Sequence, residues 1–443
     1  MPSQGTIGDR VRGLRLSRRM SQAQLAGPDL SDSYVSLIES GKRTPTPVVA
    51  RLLAERLGCT TEFLLHGIEP RQRIDTELGL RHAELELRHG DPVVAAERFD
   101  EIVKAVGEEN AMLAAQARLG RARALEEQGR LGQAVEAMER LRAEAEAHPE
   151  RLADLPLTIA LSRCYQRAGD RLRARDLGLS ALRQMTRLSV DQGELAADLA
   201  ATLIEMGGEA EEIEFARRVL AASGTPEVVD RSAEIRTLWE ASKTAAAGED
   251  SALAVRLADD AIAAGRPVRI ALQLARTAMH WAQLDACPVE EAERHVTAAE
   301  KAFSVLSGTV HELGESRVIH GRVRLRAGDP ASAGELAASA LELLEGAPGT
   351  VPAQAHLVLA RVAIEQRADA SEHLRTAREL LTALNGPIFG SDRQAARSWR
   401  ELGDLYGRVG ARADQTAAYR KALEAAGVRS VLAGVTANAA VSR

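Results

Sequence analysis

The chain is poor in the residues on which most active-site chemistry depends. Its 443 residues include three cysteines, Cys59, Cys164 and Cys287, far apart and in no CxxC or metal-like spacing. That excludes a disulfide framework or a thiolate metal cluster and suits a reducing cytoplasm. Aromatic residues make up only 3%. The ten histidines are scattered, and His311-Glu312 lacks the second histidine of a zinc-protease helix. No Walker loop, dinucleotide fingerprint or nucleophile elbow occurs, so the sequence predicts no catalytic residue, no metal, no cofactor and no enzyme. Cys59, at a helix junction, reads as a small buried hydrophobe rather than a nucleophile. No run approaches the ~18 apolar residues of a membrane span, and no apolar signal core opens the chain. The expectation is a cytoplasmic protein without membrane contact.

What is present favours helix. Ala, Leu, Arg and Glu dominate. Apolar residues at 45% and charged residues at 27% are those of a globular chain. The length allows two or more domains with their own cores. The net charge of −6 is unevenly spread: residues 1–70 hold nine Lys and Arg against seven Asp and Glu. The remainder holds 48 against 56. Arg10, Arg12, Arg15, Arg18 and Arg19 sit within ten residues of the first helix. A basic head on an acidic body fits nucleic-acid contact by the head alone; the competing reading is a solvated charged helix.

Ser21 to Pro45 carries the most information. Ser21 with Gln24 forms a capping box, and Leu25-Ala26 give the helix it starts an apolar side. Gly27-Pro28-Asp29 stops that helix. Ser31 caps a second, with apolar Tyr34, Val35, Leu37 and Ile38. Gly41 ends it, and Lys42-Arg43 follow at once. A short surface helix with cations at its exit suits the DNA major groove. A flanking helix runs from about Ile7 to Arg18. Thr46-Pro47 opens a fourth, closed by Gly58, and Thr60 caps a fifth over Glu62–His66. Ser21-Gln22-x-x-Leu25-Ala26, then Ser33-Tyr34-Val35-Ser36-x-Ile38-Glu39-x-Gly41-Lys42-Arg43-x-Pro45, resembles the XRE (Cro/C1-type) helix-turn-helix domain over residues 7–67. One departure is the shortened stretch Gly27-Pro28-Asp29-Leu30 between the two motif helices.

The resemblance implies a DNA-binding role, residue by residue. Gln22 matches a position that contacts a phosphate or a base edge. Asp32, Ser33, Ser36 and Leu37 match the base-reading start and outward face of the recognition helix. Arg15, Lys42 and Arg43 match positions that touch phosphates. Asp32 has a second reading, an acidic first-turn residue favoured by the helix dipole. Leu37 meets a thymine methyl or simply packs. Glu39 reads as structural, pairing with an arginine of the first helix.

After a linker at 68–75 the chain repeats a helix, a Gly-Asp-like turn and a second helix. Turns at Gly90, Gly129 and Gly169 lie 39 and 40 residues apart. Small residues at fixed offsets let paired helices approach. Trp399-x-x-Leu402-Gly403-x-x-Tyr406-x-x-x-Gly410, then Tyr419-x-x-Ala422-Leu423, resembles a tetratricopeptide (TPR) repeat in which Gln415 replaces one small residue. About nine such pairs fill residues 76–427, with degenerate units near Gly207-Gly208, Gly248 and Ala368. A small-residue tail, 428–443, follows. The predicted fold class is all-α: a small five-helix DNA-binding domain followed by a TPR-like α-solenoid. Arg123, Arg163 and Arg322 recur at one place in three units, on the groove-facing side. They could hold a peptide carboxylate or an acidic partner, or simply reflect abundant arginine. Trp239 and Trp281 line the groove or pack.

An XRE head on TPR repeats resembles the Gram-positive peptide-responsive quorum-sensing regulators. The resemblance implies a homodimer on double-stranded DNA with a palindromic operator, and a peptide or protein ligand in the groove. Such peptides are often gripped by asparagines. Here only Asn110, Asn385 and Asn438 occur, none at matching positions. The alternative is a TPR scaffold whose head serves localisation or protein contact.

Overall fold

A computed structural model of the chain describes residues 6–66, 70–106, 110–148, 153–207, 209–223, 228–346, 349–384 and 392–428. Gly67, Gly208, Asn385, Asn438 and the tail from 429 lie outside the described residues. Every regular element among those described is an α-helix.

The head consists of α1 (Ile7–Ser17), α2 (Gln22–Ala26), α3 (Asp32–Glu39), α4 (Pro47–Arg56) and α5 (Thr61–His66). Local chemistry sets most of the starts. The Ser21 hydroxyl accepts the Gln24 N–H at 3.0 Å, while Gln24 Oε1 accepts the Ser21 N–H at 2.8 Å. The Thr6–Asp9 pair repeats this reciprocal cap on α1. Ser31 caps α3, and Thr46 with Pro47 opens α4. Each cap satisfies amides that no carbonyl of the helix can reach. Val11, Leu25, Val35, Ile38, Leu53, Leu57 and Leu64 meet in one core from all five helices. The five-helix head expected from the sequence is therefore what forms.

The linker expected at 68–75 does not extend over all of those residues, because α6 (Pro70–His89) already begins at Pro70. A fixed φ and a missing N–H suit proline to a first helical turn. Helical hairpins follow: α6 with α7 (Pro92–Ala105), α8 (Ala111–Glu127) with α9 (Leu131–Ala147), α10 (Asp154–Ala168) with α11 (Arg171–Arg187), and α12 (Glu194–Glu205) with α13 (Ala210–Ser223). Next come α14 (Ser232–Ala247) and α15 (Ser251–Gln283), then α16 (Val289–Val305). Three more pairs are α17 (Val310–Arg326) with α18 (Pro330–Leu343), α19 (Thr350–Glu365) with α20 (Ser371–Thr382), and α21 (Arg393–Arg408) with α22 (Arg412–Ala425). The 33-residue α15 closes the pair begun by α14 and opens the pair completed by α16. It runs through Pro267, which cannot donate to the carbonyl four residues earlier.

A twelve-residue offset recurs in five of the hairpins. Ser162 Oγ donates to the Ala174 carbonyl and Ser242 Oγ to the Ala254 carbonyl, both at 2.7 Å. A Cβ on Gly321 would lie 3.1 Å from the Ala333 carbonyl oxygen. Ala83 with Ala95 and Ala122 with Ala134 hold the same offset, all fully buried. A small side chain on the first helix thus lets the second helix's backbone approach to hydrogen-bond distance. In the last hairpin the offset partner of Gly403 is Gln415, and Tyr419 fills the gap instead. A Cβ on Gly403 would lie 2.6 Å from its ring.

Gly403→Ala is therefore expected to lose stability although alanine is the better helix former. Overpacking costs about 1–3 kcal/mol, against about 1 kcal/mol of propensity gained. In a Tyr419→Ala background the same substitution should become stabilising. Urea unfolding of the four proteins tests this; a loss of equal size in both backgrounds rules out the ring clash.

The chain divides into two compact units: residues 1–117 with 237–260, and residues 118–236 with 261–443. In the first, α6 lies along α14 and the start of α15. His82 Nε2 meets Ser242 Oγ at 2.9 Å, Arg81 pairs with Asp259 at 2.6 Å, and Ser251 donates to Asp75 at 3.2 Å. In the second, successive hairpins share continuous apolar clusters, the largest running through α10 to α13 and α15 to α17. Trp239 and Trp281 are buried and pack. The three thiols are free. Burial pushes Cys164 up to about 12 and Cys287 up to about 11, with Glu126 and Glu291 adding to the shift. Burial raises Cys59 as well, so all three stay protonated at neutral pH. No helix among the described residues is long and apolar enough to cross a membrane.

Candidate nucleic-acid interface

The outward face of α3 is built by what its inward face holds. Val35, Ile38 and Glu39 are buried, whereas Asp32, Ser33, Ser36, Leu37 and Ser40 are exposed. Those exposed positions are one, three and four apart, so they form one stripe. Three hydroxyls that both donate and accept, a carboxylate and a branched apolar side chain line that stripe. These are the groups that read base edges and thymine methyls. Asp32 also acts locally: its Oδ1 accepts the Ser33 N–H at 2.9 Å, in the first turn where a carboxylate is favoured.

The cations at the exit are held by backbone. Gly41 adopts φ +69°, and the amides of Lys42 and Arg43 both donate to the Leu37 carbonyl, at 3.0 and 3.2 Å. Both side chains are exposed. The Arg43 guanidinium lies over the Tyr34 ring, 4.7 Å from its centroid. That stacking orients a charge without consuming its hydrogen-bond donors. The role of Tyr34 as a rest for Arg43, and the place of Ser40 on the stripe, were not evident from the sequence.

Arg15 is not at the interface. Its Nε and Nη2 donate to Glu39 Oε1 and Oε2 at 2.6 and 2.9 Å, and its Nη1 to the Met20 carbonyl at 2.9 Å. Both side chains are buried. The phosphate contact expected of Arg15 is thus replaced by an internal ion pair, because α1 packs directly on α3. The pairing foreseen for Glu39 is the one observed. Gln22 joins it, Nε2 donating to Glu39 Oε2 at 2.8 Å. Burial disfavours the Glu39 carboxylate, but the bonds from Arg15 and Gln22 outweigh this and lower its pKa. One carboxylate therefore ties α1, α2 and α3 together and sets the pose of the exposed stripe.

Two more of the five arginines on or just after α1 also serve the fold. Arg10 donates to the Leu64 and Leu65 carbonyls at the end of α5, at 3.0 and 2.5 Å. Arg18 donates to the Gly58 carbonyl at 3.2 Å. Arg12 and Arg19 remain exposed. The shortened turn has its own clamp. Gly27 takes φ +56°, and Arg56 of α4 donates to the Leu25 and Ala26 carbonyls and pairs with Asp29. The missing residues are offset by a guanidinium that closes the end of α2 and fixes the α2–α3 angle.

The three arginines expected to hold a ligand are not brought together as a set. Arg163 of α10 meets Glu126 of α8 through two bonds at 3.0 and 3.1 Å, and both Asp198 oxygens of α12 at 2.9 Å. Burial alone would lower its pKa; the two carboxylates carry it well above the ordinary value. Arg322 of α17 pairs with Glu401 of α21 at 2.9 Å. Arg123 of α8 is half-buried. Arg163 and Arg322 are thus rungs of a polar ladder between first helices of hairpins, α8 to α10 to α12 in one case and α17 to α21, past the α19–α20 hairpin, in the other. Further rungs are Arg269–Glu194 between α15 and α12, and Arg276–Glu312 between α15 and α17.

Comparison with known proteins agrees with the head's geometry. A helix-turn-helix family model matches residues 11–64, so the N-terminal segment is a helix-turn-helix domain of the XRE type. No curated protein matches the chain. Among solved structures, the apo quorum sensor NprR from B. thuringiensis is similar at 10% identity and TM-score 0.46. The match covers 94% of this chain and 99% of that one. A Rap protein solved with competence and sporulation factor matches at 12% identity and TM-score 0.45, over 79% and 97%. PlcR of Bacillus thuringiensis, solved with the peptide PapR7 and DNA, matches at 9% identity and TM-score 0.27, over 93% and 98%.

Proposed function

From a helix-turn-helix head with an exposed reading stripe, we propose that the chain is a sequence-specific DNA-binding transcription regulator and not an enzyme. Its TPR-like region senses a peptide, small ligand or protein partner. It acts as a homodimer on a palindromic operator, which places two recognition helices one DNA turn, about 34 Å, apart. The observation that carries the reading is the α3 face: Asp32, Ser33, Ser36 and Leu37 exposed, Lys42 and Arg43 at the exit, and Glu39 locking the pose beneath.

The roles divide into positioning and reading. Lys42, Arg43 and the helix start at Gln22 meet phosphates, while Ser33 and Ser36 read base edges. Footprinting on the protein's own promoter at several salt concentrations tests both. Arg43→Ala should weaken binding to all sequences and flatten the salt dependence by about one unit of slope. Ser33→Ala with Ser36→Ala should cost about 1–3 kcal/mol of discrimination and leave non-specific binding alone. An unchanged footprint in both variants would sink the assignment and favour a scaffold whose head serves localisation.

A further inference from the structure

Within the second unit a cavity of about 730 Å³ lies among the ends of α10, α12 and α15 and the inner faces of α17, α19 and α21. Eight arginines and five carboxylates line it. Most of these charges are already engaged. Arg322 holds Glu401 at 2.9 Å, and Arg361 holds Glu365 at 3.1 Å. Asp404 accepts the Tyr419 hydroxyl at 2.6 Å, and Asp392 caps α21.

Arg393 and Arg397 stand out, although Arg400, Glu205 and Asp285 are also without an ion pair among the described residues. They lie one turn apart on α21, a spacing at which like charges repel. Among the described residues neither has a carboxylate within ion-pair distance. Arg393 Nη1 is buried without a hydrogen-bond partner. Its guanidinium sits over Gly207 in space that a Cβ there would fill. Burial, then Arg397 and Arg171, bring the Arg393 pKa down to about 10. Burial, then Arg400, Arg322 and Arg171, lower Arg397, and Asp285 offsets this only in part. Burying an unpaired guanidinium beside other cations costs stability. Such an arrangement is what a site for an anion looks like before the anion arrives.

A second cavity, about 590 Å³, shares Arg171, Arg393, Arg397 and Arg400 and continues over Ala422, Leu423 and Ala426 to the Tyr419 ring. Both volumes are of the size that holds small ligands. The arginines therefore stand between a polar chamber and an apolar shelf. We propose that Arg171, Arg393, Arg397 and Arg400 bind a multiply charged phosphorylated small molecule, its phosphates among the guanidiniums and its apolar or ring portion on the shelf of α22. One carboxylate brings a single charge and engages one guanidinium fork. A diphosphate or triphosphate brings several charges on a compact group and satisfies several forks at once. This deepens the sensing half of the proposed regulator and depends on that reading only for its effect on DNA.

The test uses the full chain without DNA. Calorimetric titration and thermal melting are run with pyrophosphate and adenosine triphosphate, and with tricarballylate and an acidic peptide as carboxylate probes. Pyrophosphate and the nucleotide should bind and raise Tm by several degrees, with the nucleotide tighter because its ring adds the shelf. The carboxylate probes should give no shift. Arg397→Leu and, separately, Arg393→Met should bind at least tenfold more weakly. Their unliganded forms should melt no lower than the parent, since each substitution removes a repelling buried charge. No pyrophosphate binding overturns the site. So does undiminished binding by both variants, or an equal response to tricarballylate or the peptide. Because DNA is absent, a failure here leaves the regulator assignment standing, and a failed footprint leaves this site standing.

Discussion

Glu39→Ala should cost the head about 3–5 kcal/mol, because it leaves Arg15 charged, buried and without its partner. Amide hydrogen exchange in α1 and α3 would report the loss without requiring the whole chain to unfold. The pair itself adds little net stability: Arg15→Met with Glu39→Leu should regain most of the deficit, since apolar side chains of similar size replace buried pairs at small cost. Gln22 then loses its acceptor and the Met20 carbonyl loses its donor. The same carboxylate predicts an acid transition. Its folded pKa lies below the ordinary value, so its contribution is fully present above the unfolded glutamate pKa of about 4.3 and is lost as pH falls through the lower folded value. Protection of α1 and α3 should therefore collapse in that acid window in the parent. In Glu39→Ala the corresponding step should be missing; if it persists, another carboxylate is responsible.

Arg163→Leu should cost the second unit a similar amount, toward the lower end at about 3 kcal/mol. It strands Glu126, which is wholly buried, and releases Asp198. Arg167, at 3.2 Å from Glu126, tempers the loss. A groove arginine waiting for a ligand would behave otherwise: its removal would change stability by less than about 0.5 kcal/mol and abolish binding. Denaturant unfolding separates the two outcomes. A variant as stable as the parent would return Arg163 to the list of ligand residues.

Arg15 and Arg163 show where the sequence stops being legible. Helix starts could be read because a cap is a contact over two or three residues, as at Ser21–Gln24 and Ser31–Tyr34. Core positions could be read because periodicity is local, and the hairpins because Ala, Ser and Gly recur at a fixed offset. An arginine's role is set by what stands opposite it. Glu39 lies 24 positions from Arg15, Glu126 37 from Arg163 and Glu401 79 from Arg322. Nothing in the neighbouring residues distinguishes an arginine that meets a phosphate from one that meets a carboxylate. The expected contacts of Asp32, Ser33, Ser36, Leu37, Lys42 and Arg43 depend only on their place on α3 and its exit, and those places are as anticipated. The clamp of Arg56 on the Gly27 turn was hidden for the reason that hid Arg15. The length of α15 was hidden because Pro267, a local stop signal, is overridden by packing on both sides.

The contacts of α6 with α14 and α15 bear on how the protein is made. The three side-chain contacts span 160 to 178 residues of chain. A ribosome adds ~5–20 residues per second, so roughly 10–30 s pass between the emergence of α6 and that of its partners. During that interval the five-helix head can close its own core while the faces of α6 that await Ser242 and Asp259 stay open to water or to a chaperone. A chain truncated before residue 260 would thus carry a closed head on an unfinished unit.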